Sequence, residues 1–337
     1  MIKNKYGKLL IAAAAIATSI SVSAATTLRV ATWLPPMHTQ NSEALPTWAK
    51  WVEEATEGRV KVVVENFTGH PKTMYAAVED GIYDAGWGVN AYTPGRFNLT
   101  GMAEIPFGMN NAEKASVALW KVQEKYFNKA NEYEGLHLLG QWVHAPGVMH
   151  TKFPVNNISD LKDKKIRLGG GMINILAERL GVTPVSGPAP KSYELLQQGV
   201  VDGTFLPTGE SKFFKLAEVT SHMTVFPTAL YTTVFSFVAN KDFMDGLSQK
   251  DRDAIMSVSG EKLSRLEGKV WQDMHPMGLE FAKSKGLKVS ELQMFDPRVN
   301  DMKKLAADFD QTWIDSVKDR GVDAKAALAE FRKLQGM

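Results

Sequence analysis

Hydrophobic and polar positions along the chain predict β-strands that alternate with helices. Leu28 to Leu34 is a β-type run that must stop at Pro35, because proline brings no backbone donor to a sheet. A helix is predicted to follow, capped by Asn41 or Ser42 and ending near Thr56. Its apolar residues recur at helical spacing: Leu45, Trp48, Ala49, Val52 and Ala55. Next, Val60 to Val64 has the apolar character of a strand that a parallel sheet buries on both faces.

The same order of elements returns in the second half of the chain. A short helix, Lys72 to Glu79, ends the first series, and from Lys165 the strand KIRL, the helix MINILAERL, an extended VTPVSGP and the helix KSYELLQQ form the second. Both series close with G-x-x-D before a strand, at 81–84 and 199–202. The glycine suits a helix end with positive φ, and the aspartate suits a turn in which its side chain bonds nearby N–H groups. We therefore expect two related α/β lobes.

Two strand-rich passages, Leu136 to Thr151 and Thr224 to Asn240, are predicted to cross between the lobes and to act as a hinge. Ser248 is predicted to cap one long helix that runs through Val270 toward a kink at Pro276. The apolar spacing from Met302 to Val317 predicts another amphipathic helix. The predicted lobe I is residues 25–144 plus about 233–275, and lobe II is about 145–232 plus 276–337, with a ligand cleft between them.

Residues 1–24 have the pattern of a secretory signal: three lysines, the apolar LLIAAAAIA, and Val22-Ser23-Ala24 as a cleavage site. Its removal takes three of the 39 basic residues and leaves 37 acidic ones, so the net charge becomes about −1 and nucleic-acid binding loses support. No later stretch approaches the roughly 18 uncharged apolar residues of a membrane span. The chain has no cysteine, which excludes disulfides, thiol catalysis and a lipid-accepting cysteine. These features predict a free protein in the periplasm.

Motifs for catalysis, metal binding and nucleotide binding are missing from the sequence. His137, His144 and His150 are seven and six residues apart, spacings that do not converge on one metal, and there is no H-E-x-x-H or G-x-S-x-G. Gly169-x-Gly171 follows a strand, but Asn174 stands where a dinucleotide fingerprint needs its third glycine. We therefore predict no enzyme, no metal and no cofactor.

Arg167 is the strongest candidate for ligand binding, because it ends a strand beside three glycines and a helix predicted to start near Met172. A guanidinium matches a carboxylate with two parallel hydrogen bonds, and the first N–H groups of a helix favour an anion. The alternative is an ordinary solvated arginine at a strand end. Aromatic and amide residues also follow strands, where open α/β sheets bind ligands, although any of them could be core: Trp33, Phe67, Trp87, Asn90 and Phe205.

Three motifs together carry a family resemblance: ISDLKDKKIR with its glycines, GVTPV, and YELLQQGVVDG. The chain resembles the periplasmic solute-binding subunit of tripartite ATP-independent periplasmic (TRAP) transporters over essentially its whole mature length. The resemblance implies an α/β two-lobed clamshell, each lobe a sheet flanked by helices, joined by hinge strands and a long helix. It further implies that Arg167 pairs with a ligand carboxylate and that the ligand is delivered to the membrane permease subunits.

Three departures from that family pattern narrow the ligand. Many members carry a second arginine around Gly147, a Glu-Asn-Pro where this chain has Phe205-Leu206-Pro207, and an aromatic residue near Ala189. These losses predict a monocarboxylate with an apolar or aromatic body. The alternatives are a sulfonate or another organic anion as the ligand, or a periplasmic enzyme. The protein is expected to be a monomer. The predicted ligand-binding residues are Arg167, Trp33, Phe67, Trp87, Asn90, His144, Gly169, Phe205, Pro207, Thr208 and Tyr231.

Overall fold

The structure, a computed structural model, describes residues 24–337, so all but the last residue of the predicted signal segment lies outside it. The strands are β1 Thr26–Thr32, β2 Val60–Asn66, β3 Ala85–Val89, β4 Leu136–Val143, β5 Gly147–Thr151, β6 Lys165–Leu168, β7 Thr183–Ser186, β8 Gly203–Pro207, β9 His222–Val225, β10 Val234–Asn240 and β11 Lys288–Glu291. The α-helices are α1 Leu45–Ala55, α2 Met74–Glu79, α3 Ala112–Val122, α4 Met172–Leu180, α5 Ser192–Gln197, α6 Glu210–Phe213, α7 Lys241–Gly246, α8 Gln249–Ser257, α9 Gly260–Ser284, α10 Pro297–Leu305, α11 Phe309–Ser316 and α12 Ala324–Gln335.

The strands form two mixed sheets with helices packed on them, which confirms the predicted α/β class. The first sheet has the order β2-β1-β3-β10-β4, in which β10 runs antiparallel to both neighbours. The second has the order β11-β9-β5-β8-β6-β7, in which β6 pairs in parallel with β7 and β8. Because each sheet presents apolar side chains to its helices, most of the buried hydrophobic residues form one large cluster.

Both predicted crossing passages do connect the sheets. The chain leaves the first sheet at β4 and enters the second at β5, and it returns from β9 to β10. A third connection is the 25-residue helix α9, which contacts α3 and β4 on one side and α6 and β11 on the other. The exact lobe boundaries stay a prediction.

The two G-x-x-D segments fold in the same way. Gly81 and Gly199 have φ of 68° and 72°, the left-handed conformation that the sequence predicts after a helix. Asp84 accepts a hydrogen bond from the backbone N–H of Arg29 at 2.7 Å, and Asp202 accepts one from Lys165 at 2.9 Å. The bonded N–H groups lie in β1 and β6, distant in sequence, and not in the local turn that we expected. Each aspartate therefore ties its segment to the first strand of its own series, which supports two related halves.

The burial predicted for β2 is wrong. This strand lies at the edge of the first sheet with only β1 beside it, and Val63 and Val64 are 44% and 37% exposed. An apolar composition therefore identified the strand, but it did not determine its position in the sheet.

Three helix predictions need correction at their ends. Asn41 does not cap α1, because its side chain donates to the Leu34 carbonyl while a π-helical turn, Gln40–Ala44, leads into the helix. Ser248 caps a helix as predicted, but this helix ends at Ser257.

The next helix, α9, begins at Gly260, where φ is +60° and an added Cβ would lie 3.1 Å from the Trp120 ring. It continues past Pro276 to Ser284. The single helix predicted from Met302 to Val317 is likewise divided into α10 and α11, although both end residues are fully buried. Local periodicity therefore located the buried faces but missed the breaks that tertiary packing requires.

Candidate ligand-binding site

A cavity lies between the two sheets, at the ends of strands from both. Its walls are formed by the segment after β1, the turn after β3, the ends of β4 and β6, strand β8, helix α6 and the middle of α9. The empty space, including the part open to solvent, is about 440 Å³. This position at strand ends is the one that the sequence predicted for the ligand.

Arg167 lines the cavity and is only 2% exposed, so it is not a solvated strand-end arginine. Its Nε donates to the Gly187 carbonyl at 2.9 Å, and its Nη2 donates to the same carbonyl at 2.6 Å and to the Tyr92 hydroxyl at 3.1 Å. All these acceptors are neutral, and within residues 24–337 no carboxylate forms a salt bridge with the guanidinium. A buried guanidinium to which no carboxylate is bonded is costly, so the site favours an anionic ligand.

Tyr92 connects the two sides of the cavity. It follows β3 of the first sheet, yet its hydroxyl accepts hydrogen bonds from Arg167 and from the backbone N–H of Ala189 at 2.8 Å, both in the second half. With both lone pairs engaged, the hydroxyl proton points to an acceptor that the described chain does not supply. Sequence reasoning missed Tyr92; its only signal was a position two residues after Asn90, at the end of a strand.

The first turn of α4 does not have the role predicted for it. The N–H of Met172 donates to Glu104 Oε2 at 3.2 Å, while Glu104 Oε1 accepts from the N–H of Val234 at 3.2 Å. Gly171 makes this approach possible, because an added Cβ would lie 2.0 Å from Glu104 Oε2. Burial raises the pKa of Glu104 to about 7. The predicted anion site at this helix start therefore holds the protein's own carboxyl group.

Aromatic rings form most of the remaining wall. Phe235 and Trp271 stack with their ring centroids 5.5 Å apart and an interplanar angle of 6°. Phe205 lies 6.4 Å from the Tyr231 ring, and Trp33 lies 6.5 Å from the Tyr92 ring. Such a lining offers dispersion contacts to a flat apolar body.

The predicted site residues divide into two groups. Those that line the cavity are Trp33, His144, Arg167, Gly169, Phe205, Pro207 and Tyr231. Those that do not are Phe67, Trp87, Asn90 and Thr208. The binding roles of the first group remain predictions.

Each residue of the second group is engaged elsewhere. Trp87 packs behind Trp33, with ring centroids 5.0 Å apart, and Phe67 packs against Tyr83. Asn90 is held by Tyr75, Thr100 and Tyr133 in a buried hydrogen-bond network.

Thr208 donates to the His275 carbonyl at 2.9 Å. These four residues lie outside the cavity that contains Arg167, and their ligand-binding roles stay predictions.

The Tyr231 ring fills the space beside Gly147. A Cβ added to this glycine would lie 2.2 Å from a Tyr231 ring carbon. No larger residue fits there while the ring keeps its place, so the second arginine of many family members has no room at this position.

Two other structural properties bear on the class of site. Within residues 24–337, no three His, Asp or Glu side chains come together in a way that could hold a metal ion. None of the helices in that range has the length and apolar content needed to cross a membrane.

Comparisons with known proteins agree with this geometry. Residues 30–312 match the family model described as bacterial extracellular solute-binding protein, family 7. A curated relative from Comamonas testosteroni, described as outer membrane transporter protein TsaT, is 30% identical over 91% of this chain and 90% of its own length.

Solved structures of TRAP solute-binding proteins are similar over nearly the whole fold. The protein of Bordetella bronchiseptica, with bound (R)- and (S)-mandelate, is 35% identical, with a TM-score of 0.89 over 92% of this chain and 99% of its own. The protein of Rhodoferax ferrireducens, in complex with benzoate, is 28% identical, with a TM-score of 0.86 over 92% of this chain and 98% of its own. The resemblance found in the sequence and the two-lobed fold are thus confirmed. The chain belongs to the bacterial extracellular solute-binding protein family 7, the solute-binding proteins of TRAP transporters.

Proposed function

We propose that this protein captures a monocarboxylate with an apolar or aromatic body in the periplasm and delivers it to the membrane permease of a TRAP transporter. The observation that carries the proposal is Arg167, a buried guanidinium that faces an aromatic cavity and has no carboxylate partner among residues 24–337. A ligand carboxylate supplies the missing counter-charge and fits the fork of the guanidinium.

A single carboxylate is favoured over two. The position of the second arginine is blocked by the Tyr231 ring, and the walls that remain are mainly aromatic. The similar structures that hold mandelate and benzoate support the same ligand class, since both compounds are aromatic monocarboxylates.

The positions of the anchoring groups predict that the two halves close on the ligand. Arg167 belongs to the second sheet and Tyr92 follows the first, so a carboxylate that accepts from both links the two halves. Because only the closed arrangement offers both donors, the ligand shifts the population toward it.

The proposed periplasmic location and permease partner are supported by the sequence and by family membership. The signal-like residues 1–24 and the lack of cysteine support export as a free periplasmic protein, and family membership supports a permease partner. We infer a binding role and no catalytic one, because the family is one of solute-binding proteins. Finding the protein in the cytoplasm or carrying a lipid would contradict the location.

Isothermal titration with matched compounds tests the proposal: benzoate, phenylacetate, benzenesulfonate, and the neutral amides of the two carboxylic acids. At least one carboxylate is expected to bind, to raise the melting temperature by mass action and to reduce the radius of gyration. The amides should not bind, because they lack the charge. Equal affinity for acid and amide would exclude Arg167 as the anchor, and preference for the sulfonate would select the alternative anion.

A further inference from the structure

Two buried hydrogen-bond acceptors in the cavity have no partner. Glu210 is 1% exposed and its Oε2 makes no hydrogen bond within the described chain. His144 is 3% exposed and its Nε2 is likewise without a partner among residues 24–337. Both side chains line the cavity that contains Arg167. An unpartnered buried polar atom is rare in a folded protein and needs an explanation.

Contacts of His144 fix which of its ring nitrogens carries the proton. Its Nδ1 lies 2.5 Å from the Ala145 carbonyl oxygen, and only a protonated nitrogen can donate to a carbonyl. Burial lowers the pKa of His144 to about 4, so the ring is neutral at ordinary pH. Its Nε2 therefore presents a lone pair and acts as an acceptor.

Glu210 is oriented in a similar way by a second histidine. The Nδ1 of His38 accepts from the N–H of Gln40 at 3.2 Å, which leaves the proton on Nε2. That Nε2 lies 3.3 Å from Glu210 Oε1 and donates to it. One carboxylate oxygen is thus held, and the other is left to accept a hydrogen bond from the cavity.

The Trp271 ring lies beside both histidines that belong to these acceptors. The His38 and His144 rings lie 5.2 Å and 6.0 Å from the Trp271 ring, measured between centroids. Arg167 is held by Gly187 and Tyr92 and forms no salt bridge with Glu210. The cavity therefore offers a guanidinium and also two acceptors that the guanidinium does not bond.

We propose that the ligand carries, besides its carboxylate, a hydrogen-bond donor: a hydroxyl that donates to Glu210 Oε2 or to His144 Nε2, or an amine that can donate to both. This inference rests on the proposed function and narrows its ligand class to aromatic acids with a donor group. A hydrogen bond to a charged acceptor contributes about 1.5–3 kcal/mol, so the donor should raise affinity by about 10- to 150-fold.

Calorimetric titration of matched acids is the test. Phenylacetate, mandelate and phenylglycine differ only in the hydrogen, hydroxyl or ammonium on one carbon, and 3-hydroxyphenylacetate moves the hydroxyl to the ring. At least one donor-bearing acid should bind 10- to 150-fold more tightly than phenylacetate, and the methyl ether of that hydroxyl should lose the gain. Mandelate and phenylglycine distinguish the two kinds of donor.

Two outcomes of the titration distinguish a failure of the donor inference from a failure of the proposed function. If phenylacetate binds as tightly as every donor-bearing acid, the donor inference is overturned while acid capture stands. If no acid in the panel binds, both are overturned.

Variants link the preference to the two side chains. In Glu210→Gln, the amide oxygen can still accept from His38 while the amide nitrogen faces the cavity, so a donor replaces an acceptor. The affinity ratio of the donor-bearing acid to its methyl ether should fall to about one or reverse. His144→Phe keeps a ring without an acceptor and should also lower the ratio, which covers the case that Glu210→Gln does not fold.

Glu280→Gln is the matched control, because Glu280 is exposed on α9 and outside the cavity. Its ratio should equal that of the parent protein. A parental ratio in both cavity variants would overturn the assignment of Glu210 and His144.

Discussion

Arg167 and Glu104 are two buried ionisable side chains that differ in the hydrogen-bond partners that the protein supplies to them. Glu104 is 4% exposed, and each of its oxygens accepts from a backbone N–H, one at the start of α4 and one at the start of β10. Arg167 is as deeply buried but has only neutral acceptors within residues 24–337. The backbone supplies partners for both oxygens of Glu104, whereas the described chain supplies no carboxylate partner for Arg167.

Removing the Arg167 guanidinium should have the largest effect, a loss of ligand affinity. Arg167→Ala is expected to weaken every acid alike by about 2–5 kcal/mol, roughly 30- to several-thousand-fold, because a ligand carboxylate loses its partner in a dry cavity. Arg167→Lys should recover only part, since an ammonium cannot reproduce the planar fork. Calorimetry with the best acid and its amide measures both, and parental affinity in Arg167→Ala would contradict the anchoring role.

Displacing Glu104 from the start of α4 tests how much its hydrogen bonds contribute to stability. In Gly171→Ala the new Cβ meets Glu104 Oε2, and φ of +75° adds backbone strain. Gly95→Ala is the control for a positive φ alone, because Gly95 has φ of +85° and no heavy atom within 4 Å of an added Cβ. Urea denaturation should show Gly171→Ala to be less stable than Gly95→Ala by about 1–3 kcal/mol, the cost of an unsatisfied buried group. Equal losses would mean that the Glu104 contact contributes nothing.

Changing the aromatic wall should separate selectivity from anchoring. Phe205→Ala removes an apolar contact of about 1–3 kcal/mol for acids with a ring. Small acids such as acetate, which do not reach the wall, should be affected less, whereas Arg167→Ala affects both kinds. Titration of aromatic and small acids against the same variant gives the comparison, and a uniform loss would assign Phe205 a purely structural role.

A pH series tests the protonation of Glu104, with a small effect per pH unit. Its pKa is about 7 in the folded protein against 4.5 for an ordinary glutamate, so folding favours the protonated form. This contribution is fully present below about pH 4.5 and is lost as the pH rises through about 7. The stability difference between the parent and Glu104→Gln should fall across this window, by at most about 1.4 kcal/mol per pH unit.

His144 has the opposite sign: its depressed pKa removes stability as the pH falls from 6.5 toward 4, in the parent and the variant alike. It therefore cancels in the difference. A flat difference between pH 4.5 and 8 would contradict the raised pKa of Glu104.

The sequence correctly predicted the features that depend on the local spacing of residue types. Alternating strands and helices, the crossing passages and the glycines of the G-x-x-D segments follow from apolar spacing and from backbone conformations that favour glycine. Arg167 could be identified because a charged residue in an apolar strand beside three glycines is unusual.

Other features depend on distant packing and carried no local signal. Tyr92 and Glu104 lie in 3-10 segments, Asn90–Tyr92 and Leu99–Glu104, where no period indicates the direction of a side chain. Asn90 and Trp87 lie near the correct strand end, but their partners, Tyr133 and Trp142, come from residues far along the chain. The start of α4 was misassigned because the carboxyl group that occupies it is 68 residues away.

The close contact between Gly147 and Tyr231 restricts how this protein could evolve toward dicarboxylates. An arginine at position 147 would overlap the Tyr231 ring, so this change alone should destabilise the fold. A smaller residue in place of Tyr231 would open a void beside His144, whose ring lies 5.2 Å away. Each substitution alone is therefore expected to be costly, and because the two positions are in contact, their effects should not be additive.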